Sequence, residues 1–149
     1  MERDSGGGVR MHWVYPSRWG EEKRVLADVR TMARNAGFPP ERAEDVVSAL
    51  AEACLNAAEH GNGADPKRSV RVECEHTGAF LRCRVYDEGP GLEEGRPERR
   101  GPMTEEGSAR GWGVLLMEEL ADQLRFYRGE HGFCTELTFR LIEGGSGDA

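Results

Sequence analysis

The segment Glu52-Ala-Cys-Leu-Asn56-Ala-Ala-Glu-His60-Gly61 decides how the middle of the chain folds and what it offers to a ligand. Residues four apart on a helix share a face, so Glu52 and Asn56 are predicted to project side by side until Gly61 ends the helix. A carboxylate can take or orient a proton, and an amide oxygen can bind Mg²⁺. The pairing suits phosphoryl transfer, and the alternative interpretation is an ordinary solvated helix face.

A second segment, Tyr86-Asp87-Glu88-Gly89-Pro90-Gly91, follows an alternating apolar run and is predicted to be the end of a strand entering a loop. Gly89 and Gly91 let a backbone pass close to a ligand because they carry no side chain. The Asp87 carboxylate at the mouth of this loop can accept a hydrogen bond from an exocyclic amino group, as recognition of adenine requires. An ordinary hairpin turn is the alternative.

A third segment, Gly107-Ser-Ala-Arg110-Gly111-Trp112-Gly113, leads into a helical pattern. Backbone N–H groups at a helix start are unpaired and form an anion site, so Gly111 and Gly113 are predicted to approach phosphates. The alternative is that these glycines only relieve a tight loop. The three segments in this order are a stronger signal than any one of them.

The order Glu-x-x-x-Asn, Asp-x-Gly-x-Gly, Gly-x-Gly resembles the nucleotide site of the GHKL ATPases, which include DNA gyrase B, MutL and the sensor histidine kinases. Within that family the chain is most similar to the small anti-sigma factor serine/threonine kinases. Supporting similarities are Asn35-Ala-Gly-Phe38, His60-Gly61-Asn62 and the stretch from Gly132 through Thr135 to Phe139. The resemblance covers about Pro16 to Leu141 and rests on motif order and spacing.

The resemblance implies a role for each matching residue. Asn56 matches the Mg²⁺-binding asparagine, Glu52 the base that orients or deprotonates the attacking hydroxyl, and Asp87 the adenine-binding aspartate. Arg110 is the candidate for stabilising γ-phosphate charge. The other candidate nucleotide-binding positions are the glycines, a hydroxyl on the adenine side and a histidine on the phosphate side: Gly89, Gly91, Gly111, Gly113, Thr135 and His60. For Thr135 a core hydroxyl, and for His60 a structural role, are the alternatives.

Composition points to one soluble domain. The chain has 149 residues, 38% hydrophobic and 32% charged, which fits a single compact unit. No apolar run approaches a membrane span and the N-terminus lacks the apolar core of a secretory signal, so a cytoplasmic location without membrane contact is expected. A net charge of −7 argues against direct nucleic-acid binding. The four scattered cysteines form no Cys-x-x-Cys pair and are predicted to be free, partly buried thiols.

Hydrophobic periodicity predicts the order of elements. The expected elements are a strand at 9–15, a helix capped by Ser17 and ending near Ala36, a helix from about Pro40 to His60, strands at 69–76 and 79–87, a helix at 112–122, and strands at 123–128 and 133–141. The predicted fold class is a two-layer α/β sandwich, in which about three helices cover one face of a mixed, largely antiparallel sheet.

The predicted organisation is a flexible N-terminus at 1–8, one ATP-binding domain at 9–142 and a disordered tail at 143–149. The polar, glycine-rich stretch at about 89–110 is expected to form a lid over the nucleotide, because structureless loops of this length are often functional. Trp112 is bulkier than the small or aliphatic residue expected there, and either packs over the lid, meets a partner or only caps the helix.

The resemblance implies ATP and Mg²⁺ as cofactors and an ATP-dependent serine/threonine kinase. Its substrate would be a STAS-type anti-anti-sigma protein, it would also sequester a sigma factor, and it would form a homodimer. A sensor histidine kinase needs a phospho-accepting histidine in a helical hairpin, which His12, His76 and His131 do not provide. A gyrase or MutL type ATPase needs a further domain that couples hydrolysis to DNA.

The remaining alternative differs in class: a nucleotide-gated module that sequesters a partner without phosphorylating it. Such a module can lose the base and still keep Asn56 and Asp87. The presence of Glu52 therefore favours the kinase, although the sequence leaves both open.

Overall fold

The computed structural model describes residues 2–3, 8–89 and 108–141, with side chains at 8–89 and 112–141. In chain order the elements are β1 (Glu2–Arg3), β2 (Val9–Pro16), α1 (Lys23–Ala36), α2 (Pro40–Leu55), a π-helix (Asn56–Gly61), β3 (Ser69–His76), β4 (Phe80–Asp87), α3 (Ser108–Leu120), β5 (Gln123–Gly129) and β6 (Gly132–Arg140). Gly91, most of the expected lid and the C-terminal tail lie outside the described residues. None of the described helices combines the length and apolar character needed to cross a membrane.

The strands form one sheet in the order β1-β2-β3-β4-β6-β5, and each described pairing is antiparallel. Directly opposite residues include Val72 with Val85 and Leu81 with Phe139. Sheet and helices together make the predicted two-layer α/β sandwich with a largely antiparallel sheet, so the fold class is confirmed.

The core lies between the helices and one face of this sheet. In β3 the residues Val70, Val72 and Cys74 are buried while the residues between them are only half-buried, because successive side chains of a strand point to opposite faces. The predicted apolar stripe of the second helix is buried as well: Val46, Val47, Leu50, Ala53, Cys54 and Ala57. Each fully buried valine or leucine contributes roughly 1.5–3 kcal/mol to folding.

The four cysteines are free and buried, as expected for reduced thiols in a core. Cys74 and Cys83 are directly opposite each other on β3 and β4, with their Sγ atoms 2.8 Å apart. Burial raises the pKa of the Cys54 thiol to about 12. The neutral thiol therefore dominates at Cys54, and this side chain packs as a small apolar group.

The start of the first helix differs from the prediction. Ser17 does not cap it, because α1 begins at Lys23 and Gly20 has a φ of 95°, which a right-handed helix cannot include. The Ser17 hydroxyl donates instead to the carbonyl of Arg68, at 2.8 Å. The predicted stop after Ala36 is confirmed, since Gly37 takes the left-handed conformation and its N–H bonds back to the last turn.

The third helix also begins elsewhere than predicted. It starts at Ser108 and not near Trp112, so Gly111 and Gly113 lie inside the helix and the expectation of a glycine loop before it was wrong. Glycine costs about 1 kcal/mol in a helix interior, so propensity alone favours a loop. Tertiary packing overrides that preference at Gly113, because a side chain there would collide with Glu52 of α2.

Candidate functional site

Glu52 and Asn56 meet Gly113 where α2 faces α3. A methyl group at Gly113 would stand 2.7 Å from Oε1 of Glu52 and 3.7 Å from Nδ2 of Asn56, so glycine is what allows α3 to come this close. Asn56 is buried at the first position of the π-helix and Glu52 is half-buried one turn earlier. The predicted side-by-side placement of the carboxylate and the amide is present, and their roles stay predictions.

Burial raises the pKa of the Glu52 carboxyl above its ordinary value, since the fold removes water from the charged form. The carboxyl borders an open cavity of about 630 Å³, lined by Glu52 of α2 and by five residues of α3: Trp112, Gly113, Leu115, Leu116 and Glu119. This volume is in the range of small-molecule sites. A carboxyl with a raised pKa beside such a cavity is placed to exchange a proton with a bound group.

A π-helix from Asn56 to Gly61 continues α2. The N–H of Asn62 donates to the carbonyl of Ala57, five residues earlier, at 2.8 Å. Turns of this kind are rare and occur frequently at functional sites. Here the wider turn places Asn56 beside α3 while it brings Gly61 to the end of β4.

Asp87 ends β4 in a cradle formed by glycines from three segments. A Cβ at Gly61 would overlap the Asp87 carboxylate, a Cβ at Gly132 would overlap the Asp87 carbonyl, and a Cβ at Gly89 would overlap the Gly61 carbonyl. The carboxylate is buried, and its Oδ1 accepts a hydrogen bond from the N–H of Gly89 at 2.9 Å. Only glycine permits these close approaches. At Gly61 the absence of a side chain lets the backbone lie directly against the buried carboxylate.

Asn62 ties the surrounding loops together. Its amide nitrogen donates to the Ser17 hydroxyl and the Ser69 carbonyl, each at 2.9 Å, and its amide oxygen accepts from the N–H of Glu88 at 2.7 Å. The side chain is buried, so its hydrogen bonds form away from water. The sequence marks Asn62 only as part of a motif, because its partners lie far away along the chain.

The other predicted residues lie on three different elements. Thr135 on β6 is buried opposite Val85, on the same sheet face as Asp87. His60 is exposed on the π-helix. Arg110 lies in the first turn of α3, and its side chain falls outside the described part of the chain.

Sequence analysis did not identify Phe133 as a neighbour of Asp87. Phe133 stands directly opposite Asp87 in the register of β4 and β6, and Arg128 stands opposite Phe133 on β5. Only the register shows these pairings, since Asp87 and Phe133 are far apart along the chain.

Comparisons with known proteins show the family and the fold. The model of a histidine kinase-like ATPase domain matches residues 16–140. The chain is similar to a solved structure of the RsbU and RsbW domains of Rv1364c from Mycobacterium tuberculosis, with a TM-score of 0.64 and 24% sequence identity. The match covers 89% of this chain and 32% of that one, so this chain spans about a third of the solved structure's length. That likeness supports the fold.

Proposed function

Since the chain belongs to the histidine kinase-like ATPase family, we propose that it is an ATP-dependent serine/threonine protein kinase that acts as an anti-sigma factor. Its substrate is a STAS-type anti-anti-sigma protein, and it also sequesters a sigma factor. In this proposal the protein forms a homodimer in the cytoplasm and makes no direct contact with nucleic acid or membrane.

The observation that carries the proposal is the cradle around Asp87 together with the Glu52–Asn56 pair. A buried carboxylate that Gly61 approaches without a side chain fits a purine amino group, which donates hydrogen bonds. The open cavity lined by Glu52 and by residues of α3 has room for a small ligand on the Glu52 side of the pair. These features fit a bound nucleotide whose base is at Asp87 and whose phosphates are near Asn56.

The chain's own groups divide the chemistry. Bound ATP with Mg²⁺ supplies the transferable phosphoryl group. The amide oxygen of Asn56 holds the cation, and Asp87 fixes the base. Glu52 accepts the proton of the attacking hydroxyl, and its raised pKa makes it a stronger base than an ordinary carboxylate. The residues proposed to contact the phosphates are Arg110, Gly111 and Gly113. The residues proposed to line the remainder of the site are Gly89, Gly91, Thr135 and His60.

The anti-sigma assignment draws on two supports. One is the motif pattern around Glu52, Asn56 and Asp87. The other is the fold that this chain shares with the solved RsbU and RsbW domains of Rv1364c.

The second candidate function is a sequestering module that binds nucleotide without transferring phosphate. Two exposed tryptophans favour a partner surface: Trp19 is 81% exposed and Trp112 is 60% exposed. Exposed aromatic side chains of this size are common where proteins meet.

The test is titration calorimetry with ATP, with and without Mg²⁺, followed by phosphate transfer from radiolabelled ATP to purified STAS-domain proteins. Asn56→Ala is expected to abolish Mg²⁺-dependent binding. Glu52→Ala is expected to keep binding and lose transfer, by roughly 10²–10⁴-fold for a general base. Equal loss of binding and transfer in Glu52→Ala would show that the division of roles is wrong, and binding without transfer by the wild type would favour the sequestering module.

A further inference from the structure

An aromatic platform lies beside Asp87. Phe133 of β6 and Phe126 of β5 stack with their ring centroids 6.3 Å apart and their planes 10° from parallel. Both rings are half-buried, so part of the platform faces solvent. Phe126, Phe133 and Arg128 play no part in the roles assigned so far.

The register shows that this platform and the Asp87 carboxylate share one face of the sheet. Phe133 is the direct partner of Asp87, and directly opposite residues project to the same side. Val85 and Thr135, the next pair on that face, are buried under the helices. The platform therefore continues the helix-covered face to its end, next to the cradle.

Arg128 connects the platform to the loop after β4. Its guanidinium lies 5.9 Å from the centroid of the Phe133 ring, and its Nη2 donates to the carbonyl of Gly89 at 3.4 Å. The hydrogen bond is at the long limit, and cation–π contacts at exposed sites are weak. A ligand that offers an aromatic face can take the place of the Phe133 ring in the cation–π contact.

We propose that Phe133 and Arg128 form the wall that binds the purine ring, an inference that rests on the proposed nucleotide site. The ring packs on Phe133, and Arg128 turns from Phe133 onto the base or its sugar. Three groups then match two properties of adenine: a carboxylate matches the amino group, and an aromatic ring and a guanidinium match the π-system. Because Phe133 carries no polar side-chain atom, it adds affinity for the ring, while discrimination between bases stays with Asp87.

The experiment measures binding of Mg²⁺-ADP by titration calorimetry to the wild-type chain and four variants. Phe133→Leu keeps an apolar side chain and removes the ring, and is expected to raise Kd about tenfold, the usual size of a base–aromatic contact. Arg128→Gln is expected to raise Kd by roughly threefold. Phe133→Tyr keeps the ring and is expected to bind like the wild type.

Phe80→Leu is the matched control. Phe80 is also half-buried at a strand end and lies under an arginine, with the Arg82 guanidinium 4.3 Å from its ring centroid. It stands at the opposite end of β4 from Asp87. Phe80→Leu is therefore expected to leave Kd unchanged.

A spectroscopic readout separates stacking from general damage. Adenine H2 and H8 of bound ADP are expected to shift upfield in the NMR spectrum of the wild type and of Phe133→Tyr, and to lose much of that shift in Phe133→Leu. Unchanged affinity and unchanged shifts in Phe133→Leu would overturn the inference while the nucleotide site stands. Absence of any ADP or ATP binding by the wild type would overturn the proposed function and this inference with it.

Discussion

Glu52 holds a carboxylate where the fold disfavours charge. Its pKa is raised above the ordinary value of 4.5 because burial between α2 and α3 removes water. The folded protein therefore binds this proton more tightly than the unfolded chain does. The contribution of Glu52 to stability falls as pH rises through 4.5 and stops changing above the folded-state pKa.

Glu52→Gln is consequently expected to stabilise the fold at neutral pH. We expect a higher melting temperature than that of the wild type at pH 7 and little difference at pH 4. Glu44→Gln is the control of opposite sign, since a hydrogen bond from Arg30 lowers the pKa of Glu44 and its removal should not stabilise. Thermal unfolding by circular dichroism from pH 4 to 8 measures both, and a pH-independent difference for Glu52→Gln would contradict the argument.

Two opposing effects decide the result of an alanine substitution at Gly61: helix propensity and a steric clash. Alanine usually stabilises a helical position by roughly 0.5–1 kcal/mol relative to glycine. At Gly61 the added methyl would overlap the Asp87 carboxylate, and overpacking costs about 1–3 kcal/mol, so the clash wins.

Gly61→Ala is therefore expected to lower the free energy of unfolding by about 1–2 kcal/mol and to abolish nucleotide binding at millimolar ATP. Gly78→Ala is the control, because a Cβ at Gly78 meets no atom within 4 Å. Urea denaturation and calorimetry measure the two properties. A Gly61→Ala protein that binds ATP like the wild type would show that the cradle is not a ligand site.

At the scale of elements, the π-helix and the loops around it form one unit through Asn62. The side chain joins the loop after β2, the start of β3 and the end of β4 by three hydrogen bonds. The same unit places Asn56 beside α3 and Gly61 beside Asp87. Local order at the candidate site thus depends on a buried amide outside it.

Asn62→Ala is expected to reduce the free energy of unfolding by about 2–3 kcal/mol, because buried partners lose their hydrogen bonds. Asn35→Ala, on the exposed face of α1, should change it by no more than about 0.5 kcal/mol. Urea denaturation of the three proteins tests this. Equal stability of the two variants would mean that water replaces Asn62 without cost.

At the scale of the whole molecule, the proposed ligand touches α2, the π-helix, the end of β4 and α3. A ligand that binds only the folded state stabilises by about 2.7 kcal/mol at 100 times its Kd. For a chain of 149 residues this is expected to raise the melting temperature by roughly 5–10 °C.

Mg²⁺-ATP is therefore expected to produce this shift in the wild type, and ATP without Mg²⁺ a smaller one. Asp87→Asn is expected to lose most of it, because an amide group in place of one carboxylate oxygen weakens acceptance from the base. Differential scanning calorimetry measures the shift. An equal shift in Asp87→Asn would remove Asp87 from the base-binding role.

The sequence by itself determined the order of the elements from β2 to β6 apart from the π-helix, the shared face of Glu52 and Asn56, and the position of Asp87 at a strand end. All three follow from periodicity and turn residues, which act between neighbours along the chain. The register of β4 and β6, which sets Phe133 against Asp87, was decided only by the tertiary structure.

The tertiary structure likewise decided the place of Gly113 inside α3, the three glycines around Asp87 and the partners of Asn62. Each of these depends on segments that are distant in sequence and meet only when the sheet and helices pack. Packing constrained those positions more strongly than local propensity, which alone would have placed glycine in loops and a capping serine at a helix start.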